Sequence, residues 1–327
     1  ERFQTQLSAR YAEQSSINTQ LDIDGNGNLQ IQIPRTTRSI SPNVTYNLTE
    51  RNALQLGYNY SDVAYQKDPN LIASRFYSDY DNQQYNGTLT HVLTEQFSIN
   101  LTGAYSEFST SGDYPDSLTR FGPYLLPTTS SFSQSASTFT YQAGFQYAYD
   151  ELTRFSFSAG IRDTTTKISN TQTIEFLGTT RTDQSFDTSG QVYSGNLTRK
   201  FDWGSVDVNA GQQLTPASTG GQRNTTTFSV GARYNLDERL TAGINANYLL
   251  SEQLSTIDNG TTTTSFSNNR TYINVTPNIR WRWTPEINLE LSYSYRQQEY
   301  ESPNRLSVGN NLQLQFSYQP QINRQVK

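Results

Sequence analysis

The sequence predicts an all-β fold: a transmembrane, antiparallel up-and-down β-barrel of fourteen strands, with sixteen as the alternative count. Three observations carry this. Stretches of the type Leu-x-Leu-x-Tyr-x-Tyr recur along the 327 residues. Each leaves the same kind of tight polar turn, as Leu236-Asp237-Glu238-Arg239-Leu240 leads into Ala242, Ile244, Ala246 and Tyr248. No stretch approaches the ~20 apolar residues of a membrane-crossing helix, so any span must be β.

The strands follow from alternation counted on both sides of each turn. Apolar residues on one count and Asn, Ser, Thr or Gln on the other give a strand one greasy and one wet face. Polar turns recur near residues 49–53, 94–96, 150–154, 198–204, 237–239 and 284–286. Ile40, Val44, Tyr46 and Leu48 precede the first, and Leu54, Leu56, Tyr58 and Tyr60 follow it. Tyr141 to Tyr149 and Phe155 to Ile161 flank the third in the same way. Six turns give twelve strands. An opening strand (Phe3, Leu7, Ala9, Tyr11) and a closing one (Leu312, Leu314, Phe316, Tyr318) make fourteen. An even count returns both ends to the short-turn side, where the first and last strands can pair and remove the edge. Residues 1–318 read as one barrel and 319–327 as a short periplasmic extension.

Parity offers a check on register. If Trp283 faces Ile287 across the last turn, Arg280 falls opposite Glu290, Trp281 opposite Leu289 and Ile279 opposite Leu291. Like faces like, and a charge finds its complement. The other connections, near 13–37, 66–82, 110–134, 169–187, 216–224, 254–269 and 301–305, are polar and read as long loops. Short turns on one side and long loops on the other match the asymmetry of membrane barrels.

Aromatics cluster at two heights. Phe97, Tyr147, Tyr149, Phe155, Trp281 and Trp283 lie near the short turns; Tyr58, Tyr60, Tyr105, Tyr293 and Tyr295 lie near the long loops. Eight residues from Ile287 to Tyr295 cover about 26 Å of strand. At ~40° tilt that is about 20 Å of height, close to an apolar band of ~25 Å. The alternative is that Tyr is merely a good strand former.

Composition narrows the classes. Only 33% of residues are hydrophobic, yet there are 22 Tyr and the apolar residues are patterned, which argues against disorder. Lumen residues and surface loops dilute a lipid-facing band in this way. There is no Cys, which excludes disulfides and thiolate metal sites. A net charge of −5 without a Lys/Arg run argues against nucleic acid as a partner. Glu1 is not an initiator Met and no leader-like segment opens the chain, which reads as a mature or trimmed sequence.

The final strand, Leu312-Gln313-Leu314-Gln315-Phe316-Ser317-Tyr318, resembles the C-terminal signal of Gram-negative outer-membrane β-barrels of the porin-like type. It departs in carrying nine further residues, Gln319–Lys327. Turns such as Leu48-Thr49-Glu50-Arg51, with the Tyr-rich strands, resemble porins associated with exopolysaccharide systems. The resemblance implies the bacterial outer membrane, contact with lipid and lipopolysaccharide, and a polar or saccharide solute.

The wet set is mostly neutral, including Asn59, Asn100, Gln142, Asn245, Asn278 and Gln313. Its charges are few: Arg10, Arg162, Arg233, Arg280, Arg282 and Arg296 against Asp207 and Glu290. A mildly basic wall lined by amides and hydroxyls suits sugars or small polar solutes, and arginines could favour anions. The alternative is that these are solvated lumen charges.

Asp113, Asp116 and Arg120 precede the run Phe121-Gly122-Pro123-Tyr124-Leu125-Leu126-Pro127. An apolar cluster in an outer loop wants a surface, either in the lumen as a constriction or on neighbouring loops or a partner. Asp22, Asp24 and Asn26 match the first half of a calcium loop, but Ile33 stands where a bidentate Glu belongs. That segment reads more readily as a hairpin, which would supply two further strands. His91, the only histidine, shares parity with Leu89 and Leu93 and so points away from the lumen. No enzyme, cofactor or resident metal is expected. The expected function is passive passage of polar solutes or saccharides through a pore. The alternative is a structural barrel that displays loops, forms homo-oligomers or is plugged by a partner subunit.

Overall fold

A computed structural model describes residues 2–15, 34–66, 77–216, 222–253, 257–258, 263–264, 269–301 and 304–319. Fourteen antiparallel strands lie side by side in chain order, and no helix occurs among the described residues. They are β1 (Phe3–Ser15), β2 (Pro34–Asn47), β3 (Asn52–Tyr65), β4 (Asp79–Val92), β5 (Phe97–Phe121), β6 (Tyr124–Ala148) and β7 (Thr153–Ile174). Then come β8 (Gly178–Phe201), β9 (Gly204–Pro216), β10 (Gln222–Asn235), β11 (Leu240–Gln253), β14 (Arg270–Arg282), β15 (Ile287–Tyr300) and β16 (Arg305–Tyr318). A separate two-residue ladder, β12 (Ile257–Asp258) with β13 (Thr263–Thr264), sits between β11 and β14. The segments proposed as a calcium loop or extra hairpin (Asp22, Asp24, Asn26) and as a C-terminal extension lie outside the described residues, apart from Gln319.

All six short turns fall where the alternation places them, and five share one construction. A Thr or Asp side-chain oxygen accepts the amides two and three residues on. Thr49 takes those of Arg51 and Asn52 (3.2 and 3.0 Å), and Thr94 those of Gln96 and Phe97 (3.3 and 3.0 Å). Asp150 takes Leu152 and Thr153, Asp237 takes Arg239 and Leu240, and Thr284 takes Glu286 and Ile287. This is why Leu-Thr-Glu and Leu-Asp-Glu recur: a short oxygen acceptor replaces the ladder where it must reverse. The sixth turn, Phe201-Asp202-Trp203-Gly204, depends on a missing side chain, since a Cβ at Gly204 would collide with the carbonyl of Arg233.

The register check holds: Arg280 pairs with Glu290, Trp281 with Leu289 and Ile279 with Leu291. Two expected loops are instead strand. Residues 110–134 belong to β5 and β6, each 25 residues long and joined by a tight turn at Gly122 (φ 61°). Residues 169–187 extend β7 and β8, which reverse at Phe176 and Gly178 (φ 66° and 104°). Ser/Thr-rich composition read as loop, but alternating β-branched and small polar residues also pair well as a ladder in water.

Strand tilt is visible in a single rung. It starts at Phe3 and runs through Tyr46, Leu54, Leu89, Leu101, Ala143, Ala159 and Tyr193. It continues through Gln212, Thr226, Leu250, Thr271 and Glu299 to Leu306. The rung leaves β1 at its short-turn end and reaches β16 at its long-loop end, the stagger that barrels require. Among the described residues β1 and β16 do not pair, so the sheet is open rather than closed on itself.

One face carries the exposed apolar side chains, including Leu56, Leu101, Ile161, Ile279 and Leu291. Both aromatic belts are on it. Tyr58, Tyr85, Tyr105 and Phe139 stand on one rung with successive ring centroids 4.9, 6.4 and 4.6 Å apart. Near the short turns Phe145 meets Phe97 and Phe155, Phe201 stacks on Trp203 at 4.4 Å, Tyr147 meets Tyr149, and Trp281 lies beside Trp283.

The turns differ in one testable respect. Desolvation raises the Asp150 pKa, but the Thr153 hydroxyl, the amides of Leu152 and Thr153, and nearby Arg199 outweigh it and hold the carboxyl below its usual range. Its folded pKa is depressed, so its support for the turn is complete above the ordinary Asp pKa of ~3.9 and is lost as pH falls through the folded value. Amide-exchange protection at Leu152 and Thr153 should therefore drop at acid pH, while Gln96 and Phe97, held by the non-titrating Thr94, keep theirs.

Candidate functional site

The polar face divides into two levels. Toward the short turns it is wet and lined by amides, hydroxyls and arginines. Ser41 Oγ donates to Asn59 Oδ1 (2.7 Å), Ser158 Oγ to Gln142 Oε1 (3.4 Å), and Asn196 Nδ2 to Asn209 Oδ1 (2.6 Å). Asn100 lies against Gly144, where an added Cβ would press on its Oδ1. Higher on the same face, at the height of the buried residues described below, Arg296 Nε donates to buried Ser294 Oγ at 3.2 Å. Arg10 and Gln313 stand exposed on the outermost strands, β1 and β16.

Arg233, Asn245, Asn278, Arg280, Arg282 and Glu290 come together across β10, β11, β14 and β15. Arg280 donates through Nε and Nη2 to Glu290 Oε2 (3.1 and 2.8 Å), and Asn278 Nδ2 donates to Glu290 Oε1 (3.3 Å). Arg280 is mostly exposed, so this pair contributes ~1 kcal/mol or less to stability. Its importance is local: it fixes one guanidinium, while Arg233 and Arg282 beside it have no ion-pair partner among the described residues.

Toward the long loops the same face is packed. Val63, Tyr80, Phe108, Ala136, Arg162, Val192, Arg223, Ser251, Tyr272 and Gln298 are all buried. Each lies nine to twelve residues from the short-turn end of its strand, as Phe108 does in a strand starting at Phe97. At ~3.4 Å per residue and ~40° tilt, that is roughly 24–31 Å above the short turns, at the upper edge of a ~25 Å apolar band. These residues occupy β3–β8, β10, β11, β14 and β15, so burial recurs at one height across most of the sheet. The polar face is therefore the concave one.

Chemistry in this belt is mixed. Val63, Tyr65, Tyr77, Tyr80, Phe108 and Ala136 form an apolar cluster, with Tyr65–Tyr77 centroids 5.2 Å and Tyr80–Phe108 centroids 5.8 Å apart. Thr138 and Thr164 share a 3.0 Å hydrogen bond. Arg162, only 3% exposed, lies over Gly190, where an added Cβ would press on its guanidinium. Its Nη1 donates to Thr164 Oγ1 at 3.4 Å, while its Nε has no hydrogen-bond partner among the described residues.

Of this belt the sequence placed only Arg162 on the wet face as a site residue, although a signal for the rest exists. On β3–β5 the apolar parity inverts above the upper aromatic rung: Tyr60 and Tyr105 point one way, Val63 and Phe108 the other. The expected constriction lies elsewhere. Asp113, Arg120, Phe121, Tyr124 and Leu125 are exposed at the far end of the β5–β6 hairpin, and Leu126 is part of β6 beside them. Asp116 is likewise in β5. The long ladder carries this cluster away from the lumen instead of folding it in. His91 Nδ1 is hydrogen-bonded to Asn52 Oδ1 (2.8 Å), and Asn52 Nδ2 donates to Thr49 Oγ1 (2.8 Å), so the histidine braces the first turn.

A packed belt and a water-filled lumen predict different mutational costs. Phe108→Ala should destabilise the chain by about 3–5 kcal/mol in urea unfolding from lipid vesicles. Ser106→Ala, one inward position lower, should change it by less than ~1 kcal/mol.

No family model matches the chain, and no curated protein matches it. Solved structures do. The ferric yersiniabactin uptake receptor FyuA from Yersinia pestis superposes with a TM-score of 0.51 at 10% identity, over 86% of this chain and 47% of that one. A FadL homologue of Pseudomonas aeruginosa gives 0.48 at 12%, over 97% and 88%. The monoaromatic hydrocarbon channel CymD gives 0.42 at 12%, over 97% and 86%. The chain spans about half the length of the yersiniabactin receptor. What it shares with that receptor is the fold, an up-and-down antiparallel sheet of the outer-membrane β-barrel kind.

Proposed function

We propose that this chain forms the wall of an outer-membrane transport barrel that passes polar solutes or saccharides along its concave face. The carrying observation is the contrast between faces: aromatic belts and aliphatic side chains outside, arginines and amides within. In lipid such a sheet cannot leave its edges bare, so β1 closes on β16. Both strands end at the short-turn side and run antiparallel. Fourteen strands ~4.8 Å apart and tilted 35–45° need a stagger of about 14–20 residues. Measured from the rung that ends at Leu306, a stagger of ~14 sets Leu7 opposite Phe316 and Gln6 opposite Ser317. Only even staggers keep apolar beside apolar.

The buried belt supports a second reading, a barrel shut at its outward end whose role is display or partner binding. His91 is committed to the turn at Asn52, and we assign no catalytic chemistry.

Two measurements decide. The chain has no cysteine, so Gln6→Cys with Ser317→Cys should form an intramolecular disulfide, seen as a mobility change on non-reducing gels. Cross-linked dimers in its place would show that two copies share the edges. Planar bilayers should show small or rare openings for the parent chain and larger, more frequent ones for Phe108→Ala with Tyr80→Ala. Bilayers that stay sealed with both proteins would leave the display reading standing.

A further inference from the structure

Two cavities on the concave face, close to the short turns, share a wall. The first, of about 370 Å³, has a floor of Gly231 and Gly243 and is walled by Arg233, Asn245, Asn278 and Arg280. The second, of about 300 Å³, adjoins it through Thr241, Arg280 and Arg282 and continues to Arg239, Asn288 and Gln315. Register explains the hollow. Arg233 pairs across to Gly243, and Gly231 to Asn245, so two long polar side chains each stand beside a residue with none.

Charge is unevenly satisfied here. Glu290 takes Arg280; Asp207 is the carboxylate lining the first cavity, while Glu238 and Glu290 line the second against Arg239, Arg280 and Arg282. Among the described residues Arg233 and Arg282 have no ion-pair partner. Neither cavity is lined by an aromatic ring.

We propose that these two cavities form a binding site for an acidic saccharide, with one carboxylate-bearing ring in each. Guanidinium groups bind carboxylates through paired, charge-assisted hydrogen bonds. The surrounding amides and Thr241 both donate and accept, which suits sugar hydroxyls. Each volume is at the small end of ligand cavities, so one ring per cavity fits better than a larger solute. The shared arginines then sit between successive rings, where they can reach the carboxylate of either. The inference rests on the transport reading for its setting in a lumen, but its test does not require transport.

The test is calorimetric titration of the purified full chain in detergent, with trigalacturonate as probe and maltotriose and citrate as comparisons. Trigalacturonate should bind, more weakly at higher salt. Arg233→Ser or Arg282→Ser should each weaken binding by about tenfold. Glu290→Gln, which releases Arg280, should tighten it several-fold; a gain cannot arise from misfolding. Equal binding of maltotriose would overturn the role of the arginines, and equal binding of citrate would overturn the saccharide assignment. Absence of trigalacturonate binding to the parent chain would overturn the site. Binding without bilayer conductance would sink the transport reading and leave this one intact; conductance without binding would do the reverse.

Discussion

The structure rests on one constraint: an antiparallel ladder that keeps its two-residue alternation through every short turn. Because side chains alternate strictly, a slip of one residue anywhere would exchange the two faces of every later strand. The turns prevent it. Thr49, Thr94, Asp150, Asp237 and Thr284 each bind the next two free amides and so fix how many residues the reversal uses. Register then carries from β2–β3 to β14–β15, and Arg280 arrives opposite Glu290 as a consequence.

What each face becomes is decided by the medium it meets. From Leu101 to Tyr105 the outer face of β5 is apolar; above it, Glu107, Ser109 and Ser111 follow on the same parity. On the inner face the order inverts, from Thr102 below to buried Phe108 above. The same inversion occurs on β3 and β4. Above the aromatic rung the sheet behaves as a sheet in water, with hydroxyls and carboxylates outside and an apolar layer inside. The outer polar surface there includes a hollow of about 670 Å³ with Ser109, Ser133 and Ser135 across it. Asp183 beside it is held below the usual carboxylate range by hydrogen bonds from Ser169 and Arg181. Strands of 22–25 residues make this second regime large on β5–β8.

Inside, glycines and long polar residues act as complements. Gly190 admits Arg162, Gly144 admits Asn100, and Gly243 admits Asn278. In the packed belt this lets a guanidinium be buried among threonines. Near the short turns it leaves hollows whose walls include Arg233 and Arg282, which have no ion-pair partner among the described residues. The same pairing of a large and an absent side chain therefore gives a seal at one height and a site at another. The difference is the apolar cluster around Phe108 and Tyr80, which lies above.

The alternation by itself pointed to fourteen strands, the six turns, the register at the last turn and the two faces, because these are local properties repeated along the chain. It also placed Arg233, Arg280, Arg282 and Glu290 on the concave side. What it did not determine depends on length and on distant strands. Ser/Thr runs at 110–134 and 169–187 looked like loops, and only their pairing partners made them strands. The Phe121–Leu126 cluster looked like a constriction, and only the 25-residue hairpin showed it carried away from the lumen. The buried belt needed many strands at one height, and the twin cavities needed Gly231, Gly243 and the arginines brought side by side. Periodicity fixes which way a side chain points; only the assembled sheet decides what stands across from it.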